Sequence, residues 1–219
     1  MPETQINQRR LQKRAQLTFD RIKSSAEAII VREGYVGLTM RRLAEESGVG
    51  IGTIYGHFDN RDHLIVQIYS ERLNRKLSIM DSTLLAESAP SPDSALLSYF
   101  QAAIDQNAMS ELDIALFTAR QHTSAVNDIV ADFEQGLYVR YVRFFERYAS
   151  DVTPDDISAT TRFNLILEHS LLQAETTATL EELAVFKRHH AGTLGYLLRA
   201  LNVNISDQFE QKMCQIIGA

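Results

Sequence analysis

Apolar residues recur at spacings of three and four along almost the whole chain, and this pattern limits the possible folds more than any other feature. One stripe near the C-terminus contains Leu180, Leu183, Ala184, Ala191, Leu194, Leu197, Leu198 and Leu201. Strict alternation of apolar and polar residues, which is typical of half-buried strands, is scarce. Because the observed spacing places apolar side chains on one helix face, the sequence predicts an all-α protein.

Several of the expected helices begin with residues that can satisfy free backbone amides. Ser91 precedes Pro92 and Asp93, which is typical of a first helical turn. A hydroxyl and an acid three residues apart predict capping boxes at Ser110/Asp113, Thr153/Asp156 and Thr179/Glu182. Periodicity and caps together predict helices at about residues 8–33, 39–47, 51–58, 60–86, 92–107, 110–121, 124–149, 154–177, 179–202 and 205–217.

Composition excludes several classes of protein. A chain of 219 residues, with 45% apolar and 23% charged residues, has ordinary globular usage and room for one domain or for a small domain joined to a larger one. Cys214 is the only cysteine, so a disulfide framework and a cysteine zinc cluster are excluded. No apolar run approaches the length of a membrane span, and the first residues lack the apolar core of a signal peptide. We therefore expect a cytoplasmic protein without a membrane segment.

Charge is distributed unevenly along the chain. The net charge is −6, but residues 1–75 contain 12 Lys and Arg against 9 Asp and Glu. The remainder contains 10 basic and 19 acidic residues, which indicates a modestly basic N-terminal module on an acidic body. Residues 8–14, "QRRLQKR", form the densest basic stretch. This stretch is either a solvated helical extension or an arm that touches DNA.

The glycine-rich segment at residues 47–58, "SGVGIGTIYGHF", lies between two amphipathic patterns. Two helices that cross steeply through a tight turn need a small residue at their contact, a glycine in the turn and a branched residue pointing back. Ala44, Gly48 and Ile54 meet these needs, and Leu43 and Val49 complete a small core. We therefore predict a helix-turn-helix over residues 39–58, in which Gly48 has a positive φ angle.

The second helix of this motif has a divided surface. Ile54 and Phe58 are expected to face the core, which leaves Thr53, Tyr55 and His57 outward. Hydroxyl and imidazole groups can bind phosphate oxygens or base edges, so this face suits a DNA groove. A core position for Tyr55 and His57 remains an alternative. Thr39, as the N-cap of the preceding helix, would bring free amides to a phosphate.

Residues 34–68, "GYVGLTMRRLAEESGVGIGTIYGHFDNRDHLIVQI", resemble the DNA-binding module of TetR-type (tetracycline-repressor-like) transcriptional regulators. The resemblance spans about residues 20–70 and implies a DNA-binding domain at residues 1–68, with a basic N-terminal extension. It implies contacts to double-stranded DNA from Thr39, Arg41, Ile51, Gly52, Thr53, Tyr55, His57 and Arg61. Tyr55 and Arg61 are expected to hold phosphates, whereas His57 could hold a phosphate or contact a base.

Two positions depart from the family pattern. Gly56 lies where many relatives have a large side chain, so one contact is missing and the short helix loses about 1 kcal/mol of helix propensity. His63 replaces the usual acid, which removes the capping box expected after Asn60, the N-cap of the next helix. The fold is expected to tolerate both changes.

Beyond the motif, the resemblance implies that residues 69–219 form a helical domain that dimerises and binds a small effector. We expect a homodimer through helices 154–177 and 179–202, where Gly192 and Gly195 would let another helix approach closely. A monomer core could also explain these apolar faces. A pocket for an apolar or amphipathic effector could be lined by Tyr99, Phe100, Phe117, His122, Phe133, Tyr138, Tyr141, Phe163 and His169, although aromatic residues at helical spacing are more often plain core.

The sequence lacks the main catalytic signatures. It contains no G-x-S-x-G, H-E-x-x-H, phosphate-binding loop or C-x-x-C motif, and the neighbouring His189 and His190 diverge on a helix. We therefore expect neither an enzyme nor a bound cofactor or metal. The expected function is a repressor that leaves a palindromic operator when an effector binds. The alternative is a DNA-binding protein of the same fold that a protein partner regulates.

Overall fold

The computed structural model describes residues 3–106, 110–120 and 122–218, with side chains from residue 9 onward except that of Leu11. Within these residues all regular structure is helical, which confirms the predicted all-α class. The α-helices are α1 (Glu3–Gly37), α2 (Met40–Ser47), α3 (Ile51–His57), α4 (Arg61–Ser82), α5 (Pro92–Asp105), α6 (Glu111–Ala119), α7 (Asn127–Tyr148), α8 (Pro154–Ala174), α9 (Leu180–Ala200) and α10 (Phe209–Ile217), with a short 3₁₀ helix at Ser124–Val126.

Local sequence signals account for most helix ends. The capping boxes of Thr153 with Asp156 and of Thr179 with Glu182 are both formed. Ser91 caps α5 by accepting a hydrogen bond from the Ser94 amide at 3.1 Å. The Ser110 hydroxyl accepts a hydrogen bond from the Arg72 guanidinium at 2.8 Å, and the capping box there stays a prediction.

Gly34 interrupts the long first helix. Its φ angle of 70° lies in the left-handed region, which glycine adopts without the strain that a β-carbon would cause. The regular part of α1 therefore ends where the sequence predicted, near residue 33, and a last irregular turn leads to Gly37.

The chain divides into two compact units. Unit 1 comprises Met1–Glu71 and Glu111–Ile129, and unit 2 comprises Arg72–Ser110 and Val130–Ala219. By packing, the segment 111–129 therefore belongs with the N-terminal module, although it is remote in sequence. The functional division at residues 68 and 69 stays a prediction, because packing and function need not share a boundary.

In unit 1, α6 packs along α1. The core contains fully buried residues from several helices, among them Ile22, Ile29, Leu43, Ile54, Phe58, Leu64 and Leu116. Ile54 and Phe58 have no exposed surface, so they face the core as the helical spacing predicted.

In unit 2, the core lies among α4, α5, α7, α8, α9 and α10, and its largest buried side chains are Tyr141, Phe144, Phe145 and Phe209. Gly195 belongs to this packing, because a β-carbon there would lie 2.2 Å from Glu210 Oε1. Gly195 therefore lets α10 of the same chain approach, which corrects its expected place at a subunit contact. A β-carbon on Gly192 would meet nothing within 4 Å.

No helix among the described residues combines the length and the apolar character that a bilayer crossing requires.

Candidate nucleic-acid interface

The turn between α2 and α3 has the conformation that the sequence predicts. Gly48 ends α2 with a φ angle of 62°, and Leu43 and Val49 are buried beneath the turn. Thr39 caps α2 by accepting a hydrogen bond from the Arg42 amide at 3.2 Å. The exposed Thr39 therefore holds the amide end of α2 at the surface of unit 1, where a phosphate can bind.

The outward face of α3 is rich in groups that can contact DNA. Ile51, Gly52, Thr53 and Tyr55 are exposed, and half of the Tyr55 surface is accessible. The sequence analysis left a core position for Tyr55 open, and this exposure shows that Tyr55 does not lie in the core. Gly52 and Gly56 would meet no atom within 4 Å with a β-carbon, so the backbone of α3 is bare on this side.

His57 is less available than its neighbours. Its ring lies 5.8 Å from the Phe19 ring and 6.2 Å from the Phe58 ring, measured between centroids, so one face packs on α1. The residue keeps intermediate exposure. A packed imidazole ring can still donate a hydrogen bond from its free edge. His57 therefore remains a proposed DNA contact, although it is less accessible than Tyr55.

The start of α4 has the N-cap that the sequence predicts. Asn60 caps the helix, since its Oδ1 accepts a hydrogen bond from the His63 amide at 2.8 Å. In return, His63 Nδ1 accepts from the Asp59 amide at 3.3 Å. Because this second bond goes to Asp59 and not to the amide of the N-cap Asn60, it is not the reciprocal bond of a capping box, in agreement with the sequence prediction.

Arg61 is engaged within unit 1. Its guanidinium lies 4.0 Å from the centre of the Tyr35 ring, and Nη2 donates to the Tyr35 hydroxyl at 2.6 Å. The same hydroxyl donates to Asp62 Oδ1 at 2.7 Å. Burial and the bond to Asp62 raise the pKa of Tyr35, which keeps the hydroxyl protonated. These contacts orient Arg61, and a phosphate would have to compete with them.

The two arginines of α2 also have acidic neighbours. Arg41 lies 3.3 Å from Glu45 and keeps 87% of its side-chain surface accessible. Arg42 bonds Glu33 at 2.6 Å. Arg41 is thus the more accessible of the two, and its contact to DNA, which the family resemblance implies, stays a prediction.

The segment after α6 reaches the same cluster, which the sequence did not reveal. Thr123 Oγ1 donates to Asp62 Oδ2 at 3.1 Å, and the His122 ring stacks on Tyr35 at 5.8 Å with nearly parallel planes. We name Tyr35, Arg61, Asp62, His122 and Thr123 the α1–α4 clasp. Since these residues are far apart in sequence, no local signal could have identified them as neighbours.

The proposed effector residues occupy different parts of the molecule. Phe117 and His122 belong to unit 1, and His122 is part of the clasp. In unit 2, Tyr141 is buried, Tyr138 shares a 2.8 Å hydrogen bond with Ser158, and Phe100 and Phe133 are partly buried.

Phe163 and His169 lie on the exposed side of α8, and Phe163 keeps 48% of its surface accessible. Side chains this exposed do not line an enclosed pocket. The nine residues are thus divided between the two units, and their role in binding an effector stays a prediction.

Unit 2 instead exposes an apolar surface on α8 and α9. Leu167, Leu171, Ala174 and Phe186 line an open groove of about 280 Å³, together with Ser170, His189, His190 and Thr193. Ile166 is 61% exposed and Tyr196 is 68% exposed on the same two helices. We name this surface the α8–α9 face.

A two-helix motif with a polar, exposed second helix and an amide-rich start to the first defines a helix-turn-helix DNA-binding protein. Comparison with known proteins gives the family. Residues 22–68 match the family model described as bacterial regulatory proteins, tetR family. The HTH-type transcriptional repressor KstR of Mycolicibacterium smegmatis is 33% identical over 70 residues, which cover 32% of this chain and 34% of the relative.

An uncharacterized HTH-type transcriptional regulator of Haemophilus influenzae is 42% identical over 48 residues, which cover 22% of this chain and 26% of the relative. The matched segments therefore span about a third or less of these relatives.

Solved structures extend the likeness to most of the chain. A transcriptional regulator from Rhodococcus sp. Rha1 superposes with a TM-score of 0.68 at 18% identity, over 85% of this chain and 98% of that one. SmeT, the repressor of the Stenotrophomonas maltophilia multidrug efflux pump SmeDEF, superposes with a TM-score of 0.67 at 15% identity. The superposition covers 87% of this chain and 91% of SmeT. At such identities the likeness concerns the fold alone. Residues 22–68 thus carry the sequence of a tetR-family DNA-binding module, and the chain as a whole shares the fold of solved transcriptional regulators.

Proposed function

We propose that the protein is a repressor that binds a palindromic operator as a homodimer and leaves it when a small molecule binds unit 2. The observation that carries this proposal is the exposed face of α3, where Thr53 and Tyr55 stand beside a bare glycine backbone. This short helix can enter a major groove, because it has no bulky side chain at positions 52 and 56.

The proposed DNA contacts are those that the family resemblance implies. Thr39 and Arg41 stand at the start of α2, and Ile51, Gly52, Thr53, Tyr55 and His57 lie on α3. Arg61 completes the set at the start of α4. Phosphate contacts fix the register of a protein on a duplex, whereas base contacts give specificity. We assign Tyr55 to phosphate and Thr53 to a base edge or thymine methyl, since Thr53 precedes Tyr55 toward the helix start.

The α8–α9 face supports the homodimer. Exposed Phe163, Ile166, Phe186 and Tyr196 lie on α8 and α9, and an isolated chain would leave this apolar surface in water. A second copy of the chain is its proposed partner, because two helices from each subunit would form a four-helix contact with two-fold symmetry. Gly192, which has open space before it, allows close approach there.

Two-fold symmetry also serves specificity. One recognition helix contacts only a few base pairs, so a regulator needs two half-sites to distinguish its operator within a genome. A symmetric dimer presents two copies of α3, and the matching operator is an inverted repeat.

Release by an effector requires that the ligand prefer the conformation that does not bind DNA. Helix α4 is the proposed lever, because residues 61–71 belong to unit 1 and residues 72–82 belong to unit 2. The clasp ties the start of α4 to α1 and to the segment after α6. A shift of α4 would therefore be transmitted within unit 1 to α1 and to the segment after α6.

The experiment begins with selection of bound duplexes from a random library by the full-length protein. The expected result is an inverted repeat whose affinity, measured by fluorescence anisotropy, falls steeply as salt rises because phosphate contacts release counterions. Selection of a single unrepeated site would contradict the palindromic operator. An affinity that does not change with salt would contradict the proposed phosphate contacts. Release by added protein extract but by no small molecule would favour the protein-partner alternative.

A further inference from the structure

Helix α8 presents a line of polar side chains toward the interior of unit 2. Thr161, Asn164 and Glu168 are spaced by three and four residues, so they lie on one helix face. Thr161 and Asn164 have no exposed surface. This inward line is opposite in character to the apolar α8–α9 face, which the same helix presents to solvent.

Glu168 is held by two hydrogen bonds that go to one oxygen. The Tyr141 hydroxyl, on α7, and Asn164 Nδ2 both donate to Glu168 Oε1, the latter at 3.0 Å. Among the residues that the structure describes, no lysine or arginine forms an ion pair with this carboxylate. An ionised carboxylate beneath the surface is costly unless a cation accompanies it.

Further acceptor oxygens on the same line lack partners. Asn164 Oδ1 and Thr161 Oγ1 are both buried and accept no hydrogen bond from any residue that the structure describes. An amide oxygen can only accept, and so can an ionised carboxylate. Most of the hydrogen-bonding positions that stay unoccupied along this line are thus acceptors, and they lie next to a negative charge. The complementary group is a cation that carries several N–H donors.

Aromatic rings stand beside the carboxylate. Tyr141 is part of the buried core, and Tyr99 of α5 packs against that core and interacts with Tyr141 through its hydroxyl. Ring faces attract cations, so two tyrosines next to a carboxylate suit an organic ammonium or amidinium group. Tyr99 and Glu168 keep intermediate exposure, so solvent reaches both side chains.

We propose that Glu168, Asn164, Thr161, Tyr99 and Tyr141 form the binding site for an organic cation with at least two N–H donors on an apolar or aromatic body. This inference rests on the proposed effector function and names the chemical class of the effector. Glu168 supplies the charge, Asn164 and Thr161 accept the remaining N–H groups, and the two tyrosines pack against the body of the ligand.

Electrostatics make this binding dependent on pH. Burial raises the pKa of Glu168 to about 7, against which the bonds from Tyr141 and Asn164 act in the opposite direction. Of the titratable groups in the described residues, Tyr99 and Tyr141 face Glu168, and burial raises the pKa of both tyrosines, so neither ionises near neutrality. Below about pH 7 the carboxyl group is therefore mostly neutral, and its attraction for a cation is weaker.

The test uses benzamidinium, a planar aromatic cation with two N–H₂ groups, and the neutral benzamide of nearly the same shape. Calorimetric titration of the full-length protein should show benzamidinium binding about tenfold more tightly than benzamide, which corresponds to about 1.4 kcal/mol. Glu168→Gln should remove this preference. Glu146→Gln, which removes an exposed carboxylate from α7, is the matched control and should keep it.

A second measurement does not depend on any variant. Wild-type affinity for benzamidinium, which stays protonated throughout, should rise from about pH 6 to about pH 8, while benzamide binding stays constant. Equal affinity for the two compounds, an unchanged preference in a folded Glu168→Gln protein, or no binding of benzamidinium at about 10 mM would overturn the proposal.

DNA binding, measured in the same samples, separates this proposal from the proposed function. If benzamidinium binds through Glu168 but leaves DNA affinity unchanged, the cation site stands and effector-gated release fails. If benzamide and benzamidinium release DNA equally, with or without Glu168, release by an effector stands and the cation site falls.

Discussion

Helices α3 and α8 both carry polar side chains, but one presents them to solvent and the other presents them to a core. On α3, Thr53 and Tyr55 are exposed, so their polar groups are hydrated at no cost until DNA replaces the water. On α8, Asn164 and Thr161 are buried, and their side-chain oxygens have no hydrogen-bond partner within the described part of the chain. A buried polar group without a partner lowers stability by about 1–3 kcal/mol.

The difference teaches where each kind of site can be found. An exposed recognition surface does not change the stability of the fold. Such a site is therefore recognised from its sequence motif and not from an energetic cost. A buried polar line lowers stability, so its presence in a core requires a compensating partner or function. The four predictions below test this contrast, and they run from the largest expected effect to the smallest.

The largest effect is expected from the α8–α9 face. Ile166→Glu places a charge in the proposed subunit contact, and since Ile166 is 61% exposed, the single chain should still fold. Sedimentation should show mass near the 24.7 kDa of one chain instead of twice that value. DNA affinity should fall by about a hundredfold or more, because the two half-sites are no longer bound together.

Val139→Glu is the control for this change, since Val139 is an exposed valine on α7 and is not one of the residues of the α8–α9 face. It should leave both mass and DNA affinity unchanged. A wild-type protein that sediments as a single chain at micromolar concentration would contradict the dimer altogether.

The next effect concerns the stability of unit 2. The pKa of Glu168 is raised from 4.5 to about 7, so the folded state binds a proton more tightly than the unfolded state does. The free energy of unfolding is therefore highest below about pH 4.5 and falls as pH rises toward 7. The total loss that Glu168 causes is about 3 kcal/mol. Glu168→Gln should abolish this loss.

Denaturant unfolding without ligand measures this effect. The variant should unfold at higher denaturant than wild type at about pH 8, and the two proteins should converge at about pH 5. Glu146→Gln should follow the wild-type curve at both pH values. Parallel curves for wild type and Glu168→Gln would show that the carboxylate is hydrated in the folded state.

A smaller effect is expected on α3. Tyr55→Ala should weaken DNA binding by about tenfold, because it removes one phosphate contact and its packing. The loss should be similar for the selected duplex and for an unrelated one, since phosphate contacts carry little sequence information. Fluorescence anisotropy gives both values.

Val31→Ala, which truncates an exposed residue on α1 of the same unit, is the matched control and should bind like wild type. A loss confined to the selected duplex would assign Tyr55 to a base instead of a phosphate. Unchanged binding to both duplexes would show that Tyr55 does not contact DNA.

The smallest effect compares two tyrosines of unit 1. Tyr35→Phe removes a hydroxyl that is bonded to Asp62 and Arg61 at 2.7 and 2.6 Å, and should lower the free energy of unfolding by about 1 kcal/mol. Tyr55→Phe removes a hydroxyl from an exposed ring and should leave stability unchanged. Thermal unfolding of both variants checks this, and equal melting temperatures would show that the clasp adds nothing to stability.

The local features of this protein were predictable because each depends on a few consecutive residues. The cap at Thr39, the left-handed Gly48 and the inward Ile54 follow from backbone sterics, hydrogen bonding and helical periodicity within about twenty residues. The outward face of α3 follows from the same periodicity, since Ile54 and Phe58 occupy the inward positions. The motif, its polarity and the all-helical class were thus contained in the sequence.

Contacts between distant segments were not predictable, because a single sequence does not state which helix faces meet. Gly195 packs on Glu210 of α10, not on another subunit, and Thr123 bonds Asp62 across a long separation in sequence. Glu168 has an ordinary amphipathic context in the sequence, and only the packing of α8 against its neighbours buries it and raises its pKa to about 7. Desolvation depends on everything that surrounds a group, and tertiary structure alone decides what that is.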